Sequence, residues 1–263
     1  MSLSIATWNV NSARQRAGHI AAFLDRVRPD LLLLQEIKCE AKAFPAEAFA
    51  QAGYGAEIVG QKAYNGVAVL SRVPVRVTER ALPGLDPALA EQARYIEVET
   101  RGVRVGNLYL PNGNSGGEAG YEGKLAWMGA LADHAQRLLD EDVDLVLAGD
   151  YNVCPEDVDF APRTLPAGDA LIRDQTRAAF RRLIWLGLTD ALRAVQPGGP
   201  AYTFWDYQAG CWPQDRGLRI DHALLSPRLA ERLESVRIER DERAAEQPSD
   251  HVPVVVTLGD QPQ

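Results

Sequence analysis

LVLAGDYN, residues 145–152, joins a short apolar run to a glycine, an acid and an amide. A run of this kind predicts a buried strand. The glycine lets the backbone bend closely at the strand tip, so that Asp150 and Asn152 can point to the same side. An Asx-type turn is the simpler explanation of the same two residues. Because ligands commonly meet strand ends, the stretch predicts a polar site at the edge of a sheet.

Five further apolar runs end or begin at a polar side chain. The polar residues at these tips are Asn9, Glu36, Tyr109, Asp221, Asp250 and His251. A single ending of this kind means little. Six of them, all with oxygen ligands or proton-transfer groups, indicate one carboxylate-rich site assembled from many strands.

The order of apolar runs predicts the fold class. Strands are expected near residues 3–9, 31–36, 66–71, 95–100, 103–109, 144–149, 221–225 and 252–258, with amphipathic helices around residues 20–27, 125–138 and 180–184. The chain divides into two similar halves, each a mixed sheet with helices on one face. The prediction is a four-layered α/β sandwich, in which two mixed β-sheets pack face to face with helices outside, as a single domain over residues 1–263. Long irregular connections are expected at residues 113–120, 155–168 and 208–217.

Composition limits the partners. The chain has 263 residues and a net charge of −8, which argues against non-specific binding of nucleic acid through a positive surface. A phosphate substrate remains possible if a cation and a local basic patch reverse the field at one site. The candidates for that patch are Lys38, Lys62, Arg94, Lys124 and Arg216.

Cellular context follows from what the sequence lacks. Its three cysteines show no CxxC spacing, which predicts reduced thiols in the cytoplasm and neither a zinc ribbon nor a disulfide framework. We find no signal-peptide pattern and no apolar run long enough to cross a membrane.

The residue types at the strand tips suggest particular chemistry. Glu36 is either a solvated carboxylate or a ligand of Mg²⁺, which prefers hard oxygen donors. Asn9 can complete such a shell or orient a carboxylate. Asp250-His251 places a carboxylate beside an imidazole, and Asp221 is the natural partner to orient the ring for proton transfer. Tyr109 can hydrogen-bond a phosphate, or act as an acid if its pKa is lowered.

Six motifs resemble the exonuclease III family of apurinic/apyrimidinic endonucleases, within the endonuclease–exonuclease–phosphatase superfamily. They are WN (8–9), LQE (34–36), YLPNG (109–113), GDYN (149–152), RGLRID (216–221) and SDH (249–251), in the family's order. Other branches of the superfamily usually place a histidine at the position of Tyr109, so this residue favours the DNA-repair branch. The human-type members usually carry Trp where this chain has Leu218, whereas bacterial relatives often have Leu.

The resemblance implies a phosphodiesterase that depends on Mg²⁺, with Mn²⁺ as a possible substitute. Its substrate would be double-stranded DNA, cut 5′ of abasic sites or trimmed at 3′ ends in base excision repair. The protein would act as a monomer, with no obligate protein partner and no membrane association.

By motif position the resemblance also assigns roles to residues. Glu36 would hold the metal, with Asn9, Asp250, Asp150 and Asn152 as further candidates around it. Asp150 would activate the attacking water with help from Asn152, although His251 is the alternative general base. Asp221 would orient His251, which would bind or stabilise the scissile phosphoryl oxygens. Tyr109 and Asn112 would contact the phosphate, and Tyr109 could serve the leaving group. Apart from the resemblance, we expect an apolar pocket for the abasic sugar at Phe204, in the aromatic cluster of residues 202–207, and at Leu218 and Ile220, which alternate on one face of the strand leading to Asp221. Ordinary core packing is the simpler explanation of the same three residues.

Two other functions are compatible with parts of the sequence. One is a phosphodiesterase of the same superfamily that acts on RNA or a small phosphate ester. The other is a non-catalytic DNA-binding relative. The YLPNG motif argues against the first, and the complete set of polar tip residues argues against the second.

Overall fold

The computed structural model describes residues 2–260, which form twelve strands and seven α-helices. The strands are β1 (Leu3–Asn9), β2 (Leu31–Gln35), β3 (Gly55–Val59), β4 (Val67–Ser71), β5 (Arg76–Glu79), β6 (Tyr95–Thr100), β7 (Val103–Tyr109), β8 (Asp144–Asp150), β9 (Thr189–Asp190), β10 (Asp221–Leu225), β11 (Leu233–Ile238) and β12 (Val254–Leu258). The helices are α1 (Ala17–Val27), α2 (Ala46–Ala50), α3 (Pro87–Ala90), α4 (Gly117–Asp140), α5 (Asp174–Trp185), α6 (Ala191–Val195) and α7 (Pro227–Ala230). None of the helices in this part of the chain is long and apolar enough to cross a membrane.

The strands form two six-stranded mixed sheets. The first has the order β11-β12-β1-β2-β4-β3, and the second has the order β5-β6-β7-β8-β10-β9. Each sheet contains one parallel pair, β1 with β2 and β7 with β8, and its other pairs are antiparallel. The two halves therefore repeat one plan, as the sequence predicts.

Three apolar clusters produce four layers. The middle cluster fills the space between the sheets with side chains such as Leu33 and Val146. A second cluster packs α4 and α5 on the outer face of the second sheet, and a third packs α1 and α2 on the outer face of the first. The predicted four-layered α/β sandwich is confirmed.

The eight predicted strands all form, with ends that differ by at most two residues. The four strands that the sequence analysis missed are β3, β5, β9 and β11, and these are the four edges of the two sheets. Their side chains are half-buried or exposed, whereas most positions in the central strands are fully buried. Edge strands lack a continuous apolar run because only part of each strand meets the core.

The irregular segment predicted for residues 113–120 is only half correct, because α4 begins at Gly117. The glycines that suggested a loop are tolerated inside this long helix. At Gly120 a glycine is needed, since a Cβ atom there would collide with the carbonyl oxygen of Ser115 in the preceding turn. Close packing of the loop on the helix, and not helix propensity, explains this residue.

Two buried amides join the sheets beneath the strand tips. Gln35 on β2 donates to the Oδ1 atom of Asn107 on β7 over 2.8 Å. Asn107 in turn donates to the carbonyl oxygens of Leu34 and Ala68 in the first sheet, at 3.0 and 2.9 Å. These bonds cross the mainly apolar layer between the sheets, where Gln35 also donates to the Thr7 hydroxyl over 3.0 Å.

The three cysteines are free thiols and all are buried. Cys39 lies in the cluster under α1 and α2, Cys154 behind the second sheet's strand tips, and Cys211 against the Trp205 ring. Burial raises the pKa of the Cys39 and Cys154 thiols.

Glu97 on β6 is a fully buried carboxylate with four hydrogen-bond donors. His134 and Tyr95 lie 2.7 Å from its Oε2 atom, and Arg104 and Thr78 bond Oε1 at 2.8 and 2.7 Å. Burial alone would raise the pKa of Glu97, but these hydrogen bonds lower it from 4.5 to about 2. The network ties α4 to the second sheet.

We expect the ionisation of Glu97 to make the free energy of unfolding depend on pH. Because the pKa of Glu97 is lower in the folded state, its stabilisation is complete above pH 4.5 and is lost as the pH falls towards 2. The gap in unfolding free energy between wild type and Glu97→Gln should shrink by about 2 kcal/mol between pH 7 and pH 3. Urea unfolding across this range measures the gap. Glu99→Gln, on the same strand but partly exposed, is the matched control, and an equal change in both variants would contradict the assignment.

Candidate active site

The polar strand tips of both sheets meet at one cavity of about 260 Å³. Its walls contain ten residues predicted from the sequence, namely Glu36, Tyr109, Asn112, Asp150, Asn152, Phe204, Leu218, Ile220, Asp250 and His251. Asn9 and Asp221 lie directly behind it, hydrogen-bonded to residues of the wall. Four lining residues were not anticipated: Asn114, Leu165, Asp169 and Leu171. They come from irregular segments, where no periodicity indicates which side chains turn inward.

Glu36, Asp150 and His251 form the centre of the cavity. One ligand atom from each lies within 4.8 Å of the others. Asn9 donates its amide group to both carboxylates, at 2.8 Å to Glu36 Oε1 and 2.9 Å to Asp150 Oδ2. Of the two roles expected for Asn9, the amide nitrogen serves to orient carboxylates, while its oxygen accepts from the backbone N–H of Asn11.

The two carboxylates differ in acidity. Burial raises the pKa of Asp150, and the nearby charges of Asp221 and Glu36 act in the same direction. Burial would also raise the pKa of Glu36, but the Lys38 ammonium, 2.8 Å from Oε2, and the Asn9 hydrogen bond lower it. Glu36 therefore stays ionised as the permanent negative charge of the site.

Asp221 holds the ring of His251. The Nδ1 atom of His251 lies 2.9 Å from Asp221 Oδ2, and Nε2 faces Asp150 at 3.7 Å. Burial would lower the pKa of His251, but Asp221 and Asp150 raise it above the ordinary 6.5. The imidazole is thus protonated at neutral pH, which makes it a cation within the site.

Thr203 is a residue of this arrangement that the sequence analysis missed. Its hydroxyl donates to Asp221 Oδ2 over 2.6 Å and accepts from the backbone N–H of Ile220 and Asp221. In the sequence it is only a threonine inside the aromatic stretch of residues 202–207.

Asn112 and Asn152 form an amide pair on the opposite wall. Asn112 donates to Asn152 Oδ1 over 2.9 Å, and Asn152 donates to the carbonyl oxygen of Leu110. The backbone N–H of Asn152 also bonds Asp150 Oδ1 at 2.9 Å, so the Asx-type turn and the functional placement coexist. Asn152 adopts a left-handed backbone with φ of 49°.

Positive φ values recur where the chain leaves the strands of the site. Glu36 has φ of 49° directly after β2, and Lys38 has φ of 52°. Such conformations are uncommon for residues other than glycine and are often found at functional sites. Gly149 allows the close approach expected at the tip of β8, because a Cβ atom there would collide with the Leu108 carbonyl oxygen.

Tyr109 is half-buried against the guanidinium group of Arg94, whose carbon lies 4.6 Å from the centre of the ring. Burial raises the pKa of Tyr109 well above 10, and the charges of Glu36 and Asp150 add to this effect. The pKa of Tyr109 is therefore raised and not lowered, and its part in the reaction stays a prediction. In this environment the hydroxyl stays protonated and serves as a hydrogen-bond donor.

Asp250 lies at the rim of the cavity and outside the three-residue cluster. Its Oδ1 atom accepts from Asn11 at 3.1 Å, and Asn11 also contacts the Lys38 ammonium. Its expected part in metal binding stays a prediction.

One wall of the cavity is apolar. Leu218 and Ile220 pack with Cys154 and Leu171, and Phe204 lies against them. The Phe204 ring also meets the His251 ring edge-on, with centroids 4.9 Å apart. The three predicted pocket residues are therefore next to the polar centre.

Lys124 does not lie on the surface, as the expected basic patch would require. Lys38, Lys62, Arg94 and Arg216 are exposed or partly exposed, but Lys124 is completely buried. Its ammonium bonds three backbone carbonyl oxygens behind the cavity, and burial lowers its pKa to about 7. Lys124 cannot contact a phosphate of DNA from this position. The helical face of α4 was visible in the sequence, but the direction of one lysine on it was not.

The residues present fit a hard divalent cation. Glu36 and Asp150 offer carboxylate oxygens and the Asn152 amide lies nearby, which matches the oxygen donors that Mg²⁺ and Mn²⁺ prefer. The single imidazole is held by Asp221, and no described cysteine lies in the cluster. The site combines a buried carboxylate–imidazole pair, an acidic cluster suited to a metal ion and two amide side chains. This combination is typical of a metal-assisted phosphoryl hydrolase.

Comparison with known proteins agrees with this class. The model of the Endonuclease/Exonuclease/phosphatase family matches residues 6–251. Exodeoxyribonuclease III of Haemophilus influenzae is 32% identical over 262 residues, which cover 96% of this chain and 98% of that protein. A 3′ phosphatase from Neisseria, solved with a product DNA hairpin, is 38% identical with a TM-score of 0.89 and covers 98% of this chain and 100% of its own. An AP endonuclease from Archaeoglobus fulgidus is 34% identical with a TM-score of 0.90, covering 97% and 99%.

The chain therefore belongs to the endonuclease/exonuclease/phosphatase family. Within it, the chain is a member of the exonuclease III branch of AP endonucleases, as its motifs indicate.

The acidic cluster leads to a prediction about metal binding. Glu36→Gln keeps the size of the side chain and an acceptor for Asn9 but removes the permanent negative charge. We expect the affinity for Mn²⁺ to fall by about tenfold or more, since divalent cations depend on carboxylate ligands. Titration followed by electron paramagnetic resonance of free Mn²⁺ measures this without any reaction. Glu57→Gln on β3, whose carboxylate pairs with Arg80, is the control. Equal affinities in the two variants would exclude Glu36 as a ligand.

Proposed function

We propose that this protein is a Mg²⁺-dependent DNA phosphodiesterase of base excision repair, in which Mn²⁺ can replace Mg²⁺. It cuts on the 5′ side of abasic sites and removes nucleotides or blocking groups from 3′ ends. It acts as a monomer whose 263 residues form one domain. The observation that carries this proposal is the cavity itself, where groups suited to a phosphodiester lie beside an apolar wall.

Asp150 is the better candidate for the general base. His251 already holds a proton at neutral pH, because Asp221 and Asp150 raise its pKa. A protonated imidazole cannot accept a proton from water. The pKa of Asp150 is raised by burial, which brings a carboxylate closer to the acidity that efficient proton transfer requires.

The other groups bind and orient the phosphate. Protonated His251 faces the developing negative charge on the phosphoryl oxygens, and Asp221 with Thr203 fixes its ring. Preorganised donors of this kind stabilise charge that develops in the transition state. Asn112 and Tyr109 offer neutral donors from the opposite wall. A divalent cation bound at Glu36 would supply further charge neutralisation for the phosphoryl group and the departing 3′ oxygen.

DNA must be held by a small basic surface, given the net charge of −8. Lys38, Lys62, Arg94 and Arg216 are the candidates that remain after Lys124 is excluded. Few phosphate contacts imply that affinity depends only weakly on salt. Each contact contributes about −0.9 to the slope of log K against log salt concentration.

Product analysis on three substrates tests the proposed function. A duplex with an abasic analogue, an intact duplex with a recessed 3′ end and a single-stranded RNA are incubated with Mg²⁺ or with EDTA. We expect a Mg²⁺-dependent nick 5′ of the abasic analogue and shortening of the recessed strand. Asp150→Asn should bind the duplex normally and lose about 10²- to 10⁴-fold in turnover. Cleavage of RNA alone would favour the small-substrate alternative, and binding without cleavage would favour the non-catalytic one.

The apolar wall accounts for selection of the damaged nucleotide. An abasic sugar has lost its base and can enter a pocket that excludes an intact nucleotide. Phe204 is half-buried with its ring against His251, whereas its neighbours Leu218 and Ile220 are almost completely buried. We assign discrimination chiefly to Phe204.

We therefore expect Phe204→Ala to affect the two DNA substrates unequally. Loss of stacking surface worth about 1–3 kcal/mol should slow cleavage of the abasic duplex, while trimming of the intact duplex changes little. The ratio of kcat/KM values on the two duplexes measures this selectivity. Phe204→Leu keeps much of the apolar wall and should retain most of the ratio. Equal losses on both duplexes would mean that the ring supports His251 and does not select the sugar.

A further inference from the structure

Lys124 is a buried lysine outside the groups that contact the cavity. It lies on α4 with no exposed surface. Its ammonium donates to the carbonyl oxygens of Asn152 at 2.6 Å, Asn112 at 3.0 Å and Ala170 at 3.3 Å. All three donors of the ammonium group are used.

These carbonyl groups belong to three different segments of the site. Asn112 follows β7, Asn152 follows β8, and Ala170 precedes α5. The first two carry the amide pair of the cavity wall, and Ala170 lies between the lining residues Asp169 and Leu171. One ammonium group therefore joins three segments that contribute residues to the cavity wall.

The chain around Lys124 is shaped to accept it. Gly113 packs directly on the aliphatic part of the side chain, because a Cβ atom there would lie 2.7 Å from Lys124 Cδ. Transfer of a charged group out of water is costly, and a neutral packed residue would satisfy the core better. A buried lysine at this point is useful only if its three diverging donors hold something in place.

We propose that Lys124 is a positioning residue, which sets the amide side chains of Asn112 and Asn152 for the reaction by holding their backbone carbonyl groups. The inference rests on the proposed function, because the amides act on the phosphodiester of DNA. Lys124 itself contacts no substrate. Its three hydrogen bonds add to the backbone hydrogen bonds that already link these segments, from Leu110 to Asp150 and from Cys154 to Leu171.

The first test compares Lys124→Met with Lys62→Met. Methionine keeps the aliphatic stem of Lys124 and removes its three donors, while Lys62 is an exposed candidate for contact with DNA. For Lys124→Met we expect kcat on the abasic duplex to fall about 10²-fold, as a small misplacement of catalytic groups can produce. Its DNA affinity and the slope of that affinity against salt should equal those of wild type. For Lys62→Met the slope should become shallower.

The second test is a double-mutant cycle with Asn152→Ala. If Lys124 acts through Asn152, its replacement should cost much less in the Asn152→Ala background than in wild type. Leu131→Val, in the α4 core on the same helix, is the control for packing and should lower the melting temperature without changing kcat. If Lys124→Met does not fold, Lys124→Gln, which retains two donors, takes its place in the cycle.

The outcomes separate the two proposals. Wild-type protein without activity on either DNA substrate refutes the proposed function. Active wild type with unchanged kcat in the Lys124 variant refutes the positioning role, as does a cycle in which the two losses simply multiply. A changed salt slope in Lys124→Met would return Lys124 to the DNA-contacting surface.

Discussion

The amide bridge between the two sheets is the constraint on which the site depends. Glu36 and Asn9 are carried by the first sheet, whereas Tyr109, Asp150 and Asp221 are carried by the second. Apolar packing between the sheets is strong but has no direction, so it tolerates small sliding movements. The hydrogen bonds of Gln35 and Asn107 are directional, and breaking them would leave buried polar groups unpaired. Gln35 immediately precedes Glu36 and Asn107 is two residues before Tyr109, so the bridge fixes the two halves of the site close to where they meet.

The two carboxylates at the centre of the site have pKa values shifted in opposite directions. Asn9 lies between Glu36 and Asp150 and donates to both. Lys38 forms an ion pair with Glu36, and His251 faces Asp150. As a result one carboxylate is kept ionised while the pKa of the other is raised by burial. Similar side chains thus acquire different tasks through their surroundings. The left-handed backbone at Glu36 and Asn152 turns these side chains towards the cavity at the ends of regular strands.

The sequence predicted the centre of the fold better than its borders. Central strands such as β2 and β8 are buried on both faces and therefore appear as unbroken apolar runs, while the edge strands β3 and β11 carry mixed side chains. The polar residues at strand tips were identified for the same reason, since each interrupts an apolar run. Thr203 and Lys124 escaped correct assignment because their roles depend on contacts across long separations in the chain. No local pattern distinguishes a threonine that supports Asp221, or a lysine that turns inward, from an ordinary surface residue.

Because the three thiols are buried, their reactivity can be used to measure local opening of the fold. The thiolate is the form that alkylating reagents attack, and neither Cys39 nor Cys154 ionises readily because burial raises the pKa of each. Modification must therefore wait for local opening. Cys39 lies in the outer layer of the first sheet, Cys154 in the wall behind the cavity and Cys211 in an apolar cluster with Trp205 and Trp212. The rate at which each thiol is alkylated would report the local opening of the region around it. The native chain thus contains three probes of local unfolding, one in each of three regions.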